Sequence, residues 1–434
     1  MTEAPRAEPG RPLSVLVLGM HYAPESTGNA PYTTGMARGL AAAGHSVRVV
    51  TGYPHYPQWR VAEGYGGLRM HELDGDVALT RVRHPVPAQP TAVRRILMDA
   101  AFTVHAAAVR GPRPDVVIAV SPVLLTVAAG LTWRSPGRTA LGVVIQDLYS
   151  RALVETGMAS GRAALGAAAL EGALLRRADG VAVVHENFVR NLEGLGVDTG
   201  KVSVIRNWSH VERSRTDRAA TRARLGWGAD EIIALHAGNM GAKQGLENVV
   251  AAARRADAEG SPVRFVLLGD GNRRTQLEAA ARGVERLSFL DPLPDGEFEA
   301  ALAAADVLVL NEAESVAEMS VPSKLTSYFV SGRPVVAATD RRSAAAAEID
   351  RSGAGVRVDT GAPDALHRAI AELGADAGRC SALGALGVVY ADQNLTANAA
   401  AAAYDSWIVG LAAGRTRRGR SPQVGARSMS RRGV

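Results

Sequence analysis

The chain of 434 residues is 47% hydrophobic, enough for two domains of roughly 200 residues that each bury a core. Its single cysteine, Cys380, excludes an internal disulfide framework, and no run reaches the roughly 18 to 20 apolar residues that a membrane span needs. The formal charge of +6 does not make a nucleic-acid binder: seven arginines lie in residues 413–434, the remainder carries −1, and no aromatic-interleaved basic patch precedes them.

Residues 1–12 lack the apolar stretch of a signal peptide and read as a disordered lead, so a cytoplasmic protein is expected. A first domain over residues 13–208 opens with a buried strand at 14–19 and a long loop. A helix then runs from Tyr32 to Ala43, with Pro31 suited to the first helical position, Asn29 to a nearby cap and Gly44 to the stop. A second strand follows at 45–52. Asp74 and Asp76 form the one literal D-x-D, but the Asp-Gly step between alternating apolar segments predicts a hairpin turn there. Residues 92–110 read as an amphipathic helix, packed on the core or lying at a membrane interface. Short Val/Ile-rich strands at 115–121, 140–147, 180–186 and 201–207, separated mostly by helices, continue the pattern of a parallel sheet.

A polar stretch after Asn207 suits a connection into a second domain, residues 209–395. Its strands are read at 231–238, 263–271, 287–290, 305–311 and 333–339, again with helices between them. The expected architecture is α/β, two Rossmann-like doubly wound domains facing a central cleft, with ligands at the carboxyl ends of the strands. Residues 396–412 read as a terminal helix packing back towards the first domain. Residues 413–434 read as a basic disordered tail whose functional option is attraction to anionic lipid, about 1 kcal/mol per basic residue.

Two segments carry the chemistry. In 235–250 a strand ends at Gly238, a turn holds Gly241, and Lys243 and Gly245 precede a helix, an arrangement suited to an anionic phosphate. In 320–338 Ser320, Ser323 and Lys324 gather at a helix start marked by Pro322, and Gly332 and Pro334 close that helix. Neither segment has the G-x-G-x-x-G spacing of a nicotinamide site, which argues against a dehydrogenase.

In order, G-N-M-G-A-K-Q-G-L-E, V-L-L-G-D-G-N, F-L-D and P-S-K-L-T-S-Y with S-G-R-P-V-V resemble the nucleotide-sugar domain of glycosyltransferase family 4, of GT-B fold. The first half agrees, with H-Y-A-P-E-S-T-G-N-A-P-Y and G-H-S-V-R-V-V-T, so the resemblance spans roughly residues 14–410. The PSKLT wording is similar to that of colanic-acid-type and fucosaminyl-type transferases. The resemblance implies donor contacts at Gly28, Asn29, Asn239, Gly241, Gln244, Gly269, Gly271, Asn272, Leu290, Pro322, Ser323, Lys324, Thr326 and Ser327. It makes Lys243 the first candidate to offset charge on a departing nucleoside diphosphate, the alternative being an ordinary solvated lysine.

Departures from the family are specific. Asn239 stands where relatives carry an arginine, so Lys324 is the candidate second charge. Met319 and Ser327 stand where relatives carry two glutamates; Glu318 lies beside the first, and the hydroxyls of Ser327 or Thr326 could meet a ribose. Relatives often place a histidine where this chain has Val120 and Ser121. Asp147 and His185, at strand ends, are the remaining catalytic candidates, each with an equally plain structural reading. Tyr22, Tyr32, His55 and Ser121 are the acceptor-side candidates.

The resulting expectation is a retaining transferase with no metal and no cofactor, since the nucleotide-sugar is a substrate. It would move sugar from a UDP- or GDP-sugar to a saccharide acceptor, one linked to polyprenyl diphosphate in envelope or exopolysaccharide assembly, with peripheral contact to anionic membrane. Open alternatives are a soluble-acceptor transferase of secondary metabolism, a sugar-nucleotide epimerase, and a non-catalytic donor-binding subunit that binds UDP without turnover.

Overall fold

The computed structural model describes residues 11–26, 28–89, 91–121, 124–135, 137–150, 161–314 and 323–418. The chain forms two compact units. The first comprises residues up to Val183, residues 192–203 and residues from Ala401 onward; the second comprises residues 184–191 and 204–400.

The first unit is built on an eight-stranded sheet: β1 (Ser14–Leu18), β2 (Ser46–Gly52), β3 (Arg69–Asp74), β4 (Val77–Val82), β5 (Val116–Val120), β6 (Ala140–Ile145), β7 (Gly180–Val183) and β8 (Val202–Val204). Their order is β3-β4-β2-β1-β5-β6-β7-β8. Every side chain of β5 and β6 is buried, as continuous Val/Ile/Ala runs between helical layers require. β3 runs antiparallel to β4, pairing Asp74 with Val77 across Gly75, whose φ of 57° is the left-handed turn conformation that favours glycine. The Asp-Gly hairpin is therefore present as read from the sequence.

The second unit carries β9 (Ile232–Ala237), β10 (Val263–Leu268), β11 (Leu287–Leu290), β12 (Val307–Asn311), β13 (Val335–Ala338) and β14 (Gly355–Val358). All five neighbouring pairs are parallel, in the order β11-β10-β9-β12-β13-β14. This is the doubly wound order that reverses between its first and fourth strands, here β9 and β12. β14 was not anticipated: its G-V-R-V alternates weakly, and all four residues are only half-buried at the sheet edge.

The helix Ala397–Arg418 buries Tyr404 and Ile408, and His45 Nε2 meets Asp405 Oδ1 at 2.6 Å within the first unit. It also corrects the expected start of the tail, because residues 413–418 are helical. Arginines near a helix C-terminus complement its negative dipole end, so basic composition alone does not end a helix. Residues 1–10 and 419–434 lie outside the described residues.

Candidate functional site

In the second unit the carboxyl ends of the strands form one polar edge. β9 and β12 pair only through Val307 with Ala234 and Leu308 with Leu235; beyond that point other groups take up their backbone valences. The fully buried Tyr328, on the helix Ser323–Ser331, accepts the Ala237 N–H at 2.9 Å. His236 places Nδ1 3.2 Å from the Val309 carbonyl, which puts the ring proton on Nδ1. Burial, and then the Lys324 charge, push His236 down to about 3, so it is neutral. The reversal of strand order thus falls between β9 and β12, at the kind of position where ligands of such sheets collect.

Asn311, at the last residue of β12, fixes the turn after β9. Its Nδ2 donates to the Gln244 and Gly245 carbonyls at 2.7 and 2.9 Å, while its Oδ1 accepts from Asn248 at 2.7 Å. The Ala313 N–H donates to the Lys243 carbonyl at 2.9 Å, so three consecutive carbonyls of the turn are held from β12. The Gln244 side chain accepts the Gly241 N–H at 3.0 Å. Lys243, in the single turn Ala242–Gln244, is exposed on this fixed backbone. Replacing Asn311 should therefore loosen the Lys243 turn. We expect Asn311→Ala to lower Tm by the equivalent of about 1–3 kcal/mol and weaken nucleotide binding; Asn311→Asp should do worse, because a carboxylate would face two carbonyls. Unchanged nucleotide affinity in both variants, read by calorimetry, would remove this role.

The neighbouring turn after β10 is packed onto the first. The Met240 N–H donates to the Asp270 carbonyl at 2.8 Å and the Arg273 N–H to Met240 at 3.0 Å. A Cβ at Gly269 would lie 2.1 Å from the Gly238 carbonyl oxygen, and one at Gly271 2.5 Å from that of Met240. Only glycine permits the approach, which Gly269 makes at a φ of 134°. Leu290, ending β11, accepts the Gly269 N–H at 3.0 Å, and Asn272 continues the turn beyond Gly271.

Lys324 brings the charge. Its Nζ lies 3.4 Å from the Asn239 carbonyl, and burial pulls its pKa from the usual 10.5 down to about 8, with Glu312 opposing the fall. Glu312, directly after β12, is buried; burial raises it to about 6, against the Thr339 hydroxyl that donates to it and the charge of Lys324. A half-desolvated lysine beside fixed backbone is arranged for an anion. Thr326 is buried and Ser327 half-buried on the same helix. Pro322, Met319 and Glu318 lie outside the described residues, as does the side chain of Ser323. Glu312, Asn311 and Tyr328 were missed from sequence. The signals were a carboxylate and an amide ending the apolar run V-L-V-L, and a tyrosine one helical turn after Lys324.

The structure does not bring His185 to this edge. His185 is buried in the second unit, Nδ1 accepting the Asn187 N–H at 3.1 Å and Nε2 facing Glu348 at 3.1 Å. Burial would raise Glu348, but hydrogen bonds from His185 and Tyr390 and the charge of Arg206 hold it down at about 2. Nε2 serves that ionic cluster and Nδ1 the Asn187 backbone, so both ring nitrogens are engaged away from the edge after β9 and β12: a strand-end position does not fix where a side chain points.

In the first unit, Gly28, Asn29, Ser121 and Asp147 cluster at the ends of β1, β5 and β6. Asn29 caps nothing with its side chain; its Nδ2 donates to the Ser121 carbonyl at 3.4 Å, and Ser121 Oγ donates to the Asp147 carbonyl at 3.0 Å. Ser121 is thereby a buried staple. Tyr22 is buried with its hydroxyl on Asp74 at 2.8 Å, and Arg38 clasps the same carboxylate with two bonds of 2.8 Å. His55 is buried against Glu25 and His84, and its pKa is lowered first by burial and then by His21. Tyr32 is half-buried. Tyr22 and Ser121 thus hold the loops together, whereas His55, although buried, also lines a cavity of about 330 Å³ with Glu25, Tyr56 and Arg60.

Comparison with known proteins agrees with this organisation. A family model described as a glycosyl transferase 4-like domain matches residues 27–208, and one described as glycosyl transferases group 1 matches residues 231–376. The putative colanic acid biosynthesis glycosyl transferase WcaI of Escherichia coli K12 is 34% identical over 344 residues, covering 75% of this chain and 83% of that protein. Among solved structures, sucrose-phosphate synthase from Thermosynechococcus elongatus superposes with a TM-score of 0.68 at 20% identity, covering 92% of this chain and all of that one. Anabaena HepE in complex with UDP-glucose gives 0.63 at 15% identity, covering 92% of this chain and 99% of that one. At these identities the structural likeness speaks to the fold.

Proposed function

We propose, from the premise that this chain belongs to the family 4 glycosyltransferases of GT-B fold, that it moves a sugar with retention from a UDP- or GDP-sugar to a hydroxyl of a lipid-linked saccharide. The observation that carries the donor side is the edge of the second unit, where Lys324 is held half-desolvated beside the turns of β9 and β10 and Lys243 stands on a turn fixed from β12. A nucleoside diphosphate matches that set of cations and close-packed glycine turns. The UDP-glucose bound by HepE supports a nucleotide-sugar donor, and the description of the Escherichia coli relative supports assembly of an envelope or secreted polysaccharide. Transfer assays with UDP- and GDP-linked hexoses test the reading; nucleotide binding without transfer or hydrolysis would turn it into that of a donor-binding subunit.

Two chemical consequences follow. Lys243, Lys324 and the turns after β9 and β10 would all meet a diphosphate, which supports attack on the same face, with the leaving diphosphate taking the acceptor proton. NMR of the product should show the donor's anomeric configuration; an inverted linkage would falsify the mechanism. The Asp74–Asp76 step is a hairpin turn in which Asp74 is occupied by Tyr22 and Arg38, and Lys243 and Lys324 are proposed to balance the diphosphate. Activity should therefore survive EDTA within about twofold, and loss restored by magnesium or manganese would overturn metal independence.

Peripheral membrane contact has one structural support. The helix Ala92–Ala107 buries Met98, Phe102 and Ala106 on one face yet exposes Val93, Leu97 and Val104 by 59–67% elsewhere, beside Arg94. Apolar side chains flanked by arginine suit an anionic interface. No helix among the described residues is long and apolar enough to cross a membrane.

A further inference from the structure

Of the 49 lysines and arginines only three are lysines, Lys201, Lys243 and Lys324, and the last two stand at the strand-end edge of the second unit. An arginine there would stay charged at any pH, whereas the charge of a lysine depends on its surroundings. Lys201 is spent on structure, its Nζ donating to the carbonyls of Leu175, Arg176 and Ala178 at 3.0–3.1 Å. Lys324 instead meets the Asn239 carbonyl at 3.4 Å and forms no ion pair among the described residues. A Cβ at Gly238 would lie 3.1 Å from Lys324 Cε, so glycine gives the stem its room. Glu312 is the carboxylate of these surroundings. Its N–H donates to the Ala338 carbonyl at 3.0 Å, and its side chain accepts the hydroxyl of the fully buried Thr339. Thr339 in turn shares a 2.7 Å bond with Ser343, which caps the helix Ala344–Ser352. The residues on either side, Asn311 and Ala313, hold the turn of Lys243. The carboxylate is thus locked in place, buried, and without an ion pair among the described residues.

We infer that Glu312 is a positioning residue that keeps the Lys324 ammonium charged and open to a phosphate, by supplying its counter-charge without contact. The inference rests on the donor reading for the word phosphate. A carboxylate in contact would occupy the donors of the ammonium and repel the phosphate at close range. A buried carboxylate out of contact still favours the charged lysine, because the low-dielectric surroundings screen it weakly, and it leaves the N–H donors free. The two groups act on each other in that sense: burial draws Lys324 down to about 8 and Glu312 opposes the fall, while burial raises Glu312 to about 6 and Lys324 opposes the rise. Both are mainly charged at pH 7. Of the other groups around Lys324, His236 on β9 is neutral, Tyr328 on the same helix is bonded to the backbone of Ala237, and Lys243 on the neighbouring turn is exposed to water. The competing reading is that Glu312 only staples β12 to Thr339 and the helix beyond it.

Lysine labelled with carbon-13 at Cε reads the charge directly, since three lysines give three NMR signals and Lys324→Arg identifies one of them. Without ligand, the Lys324 signal should titrate at about 8 in the wild type and at least about half a pH unit lower in Glu312→Gln, whose amide still accepts the Thr339 hydroxyl. Calorimetric UDP binding should follow the charge. Between pH 7 and 8.5, Glu312→Gln should lose at least about twofold more affinity than the wild type, in proportion to the fraction of charged Lys324. In a Lys324→Arg background Glu312→Gln should add no pH-dependent loss, because the guanidinium needs no counter-charge to stay ionised. A staple moves neither midpoint nor slope. An unchanged Lys324 midpoint, a loss of UDP affinity uniform in pH, or the same pH-dependent loss in the Lys324→Arg background therefore overturns the inference. Failure of UDP to bind the wild-type chain would instead count against the donor reading, and the lysine signal would still decide the role of Glu312.

Discussion

Lys243→Ala should lower kcat/KM by roughly 2–4 kcal/mol of transition-state stabilisation, about 30- to 1000-fold, without changing Tm. The side chain is exposed, so its removal leaves no cavity, whereas its backbone carbonyl is held by the Ala313 N–H and would keep the turn in place. The loss should appear mainly in kcat, because charge on the departing diphosphate grows as the glycosidic bond breaks, and only a preorganised cation meets it without cost in reorganisation. Lys243→Arg should recover part of the rate. Near wild-type turnover in a folded Lys243→Ala protein would remove the residue from the chemistry.

Lys324→Met should act differently, on affinity and on pH. Loss of one charge-assisted contact to a phosphate is worth about 1.5–3 kcal/mol, so UDP affinity should fall roughly 10- to 150-fold. In the wild type, Lys324 titrates near 8 because burial disfavours its charged form. UDP affinity should therefore decline as pH rises through about 8, and the decline should vanish in Lys324→Arg, whose guanidinium stays charged. The linked effect on folding has the opposite sense. Between about 8 and the ordinary 10.5 the unfolded chain holds more protons on this lysine than the folded chain, so stability rises with pH across that window. Lys324→Met should abolish the rise and be more stable than wild type at neutral pH, since a desolvated charge is replaced by an apolar chain. Calorimetric unfolding from pH 7 to 10.5 checks the sign; identical slopes for both proteins would place Lys324 in solvent.

The two lysines differ for a reason that the linear motif does not contain. Both stand near a helix start in their motifs, yet Lys243 ends on an exposed single turn while Lys324 lies against the Asn239 carbonyl with Glu312 near it. Glu312 also bears on the absent family glutamates. Ser327 and Met319 depart from the family, and among the described residues a buried carboxylate near this edge, Glu312, directly follows β12.

By itself the sequence determined the alternation of strands and helices, the two-domain α/β class, the Asp-Gly hairpin and the family. Those features depend on local rules: apolar runs with period two or 3.6, glycine where φ must be positive, proline at a helix start. The order of the motifs pointed to the strand-end turns of the second unit, because each of those turns directly follows a strand that its own residues identify. Tertiary structure alone decided which strand-end side chains are open to a ligand. His185 turns to Glu348 and Tyr22 to Asp74, partners 163 and 52 residues away, while Ser121 closes on Asp147. A buried polar group goes to whatever partner satisfies it, and that partner is fixed by packing rather than by sequence spacing.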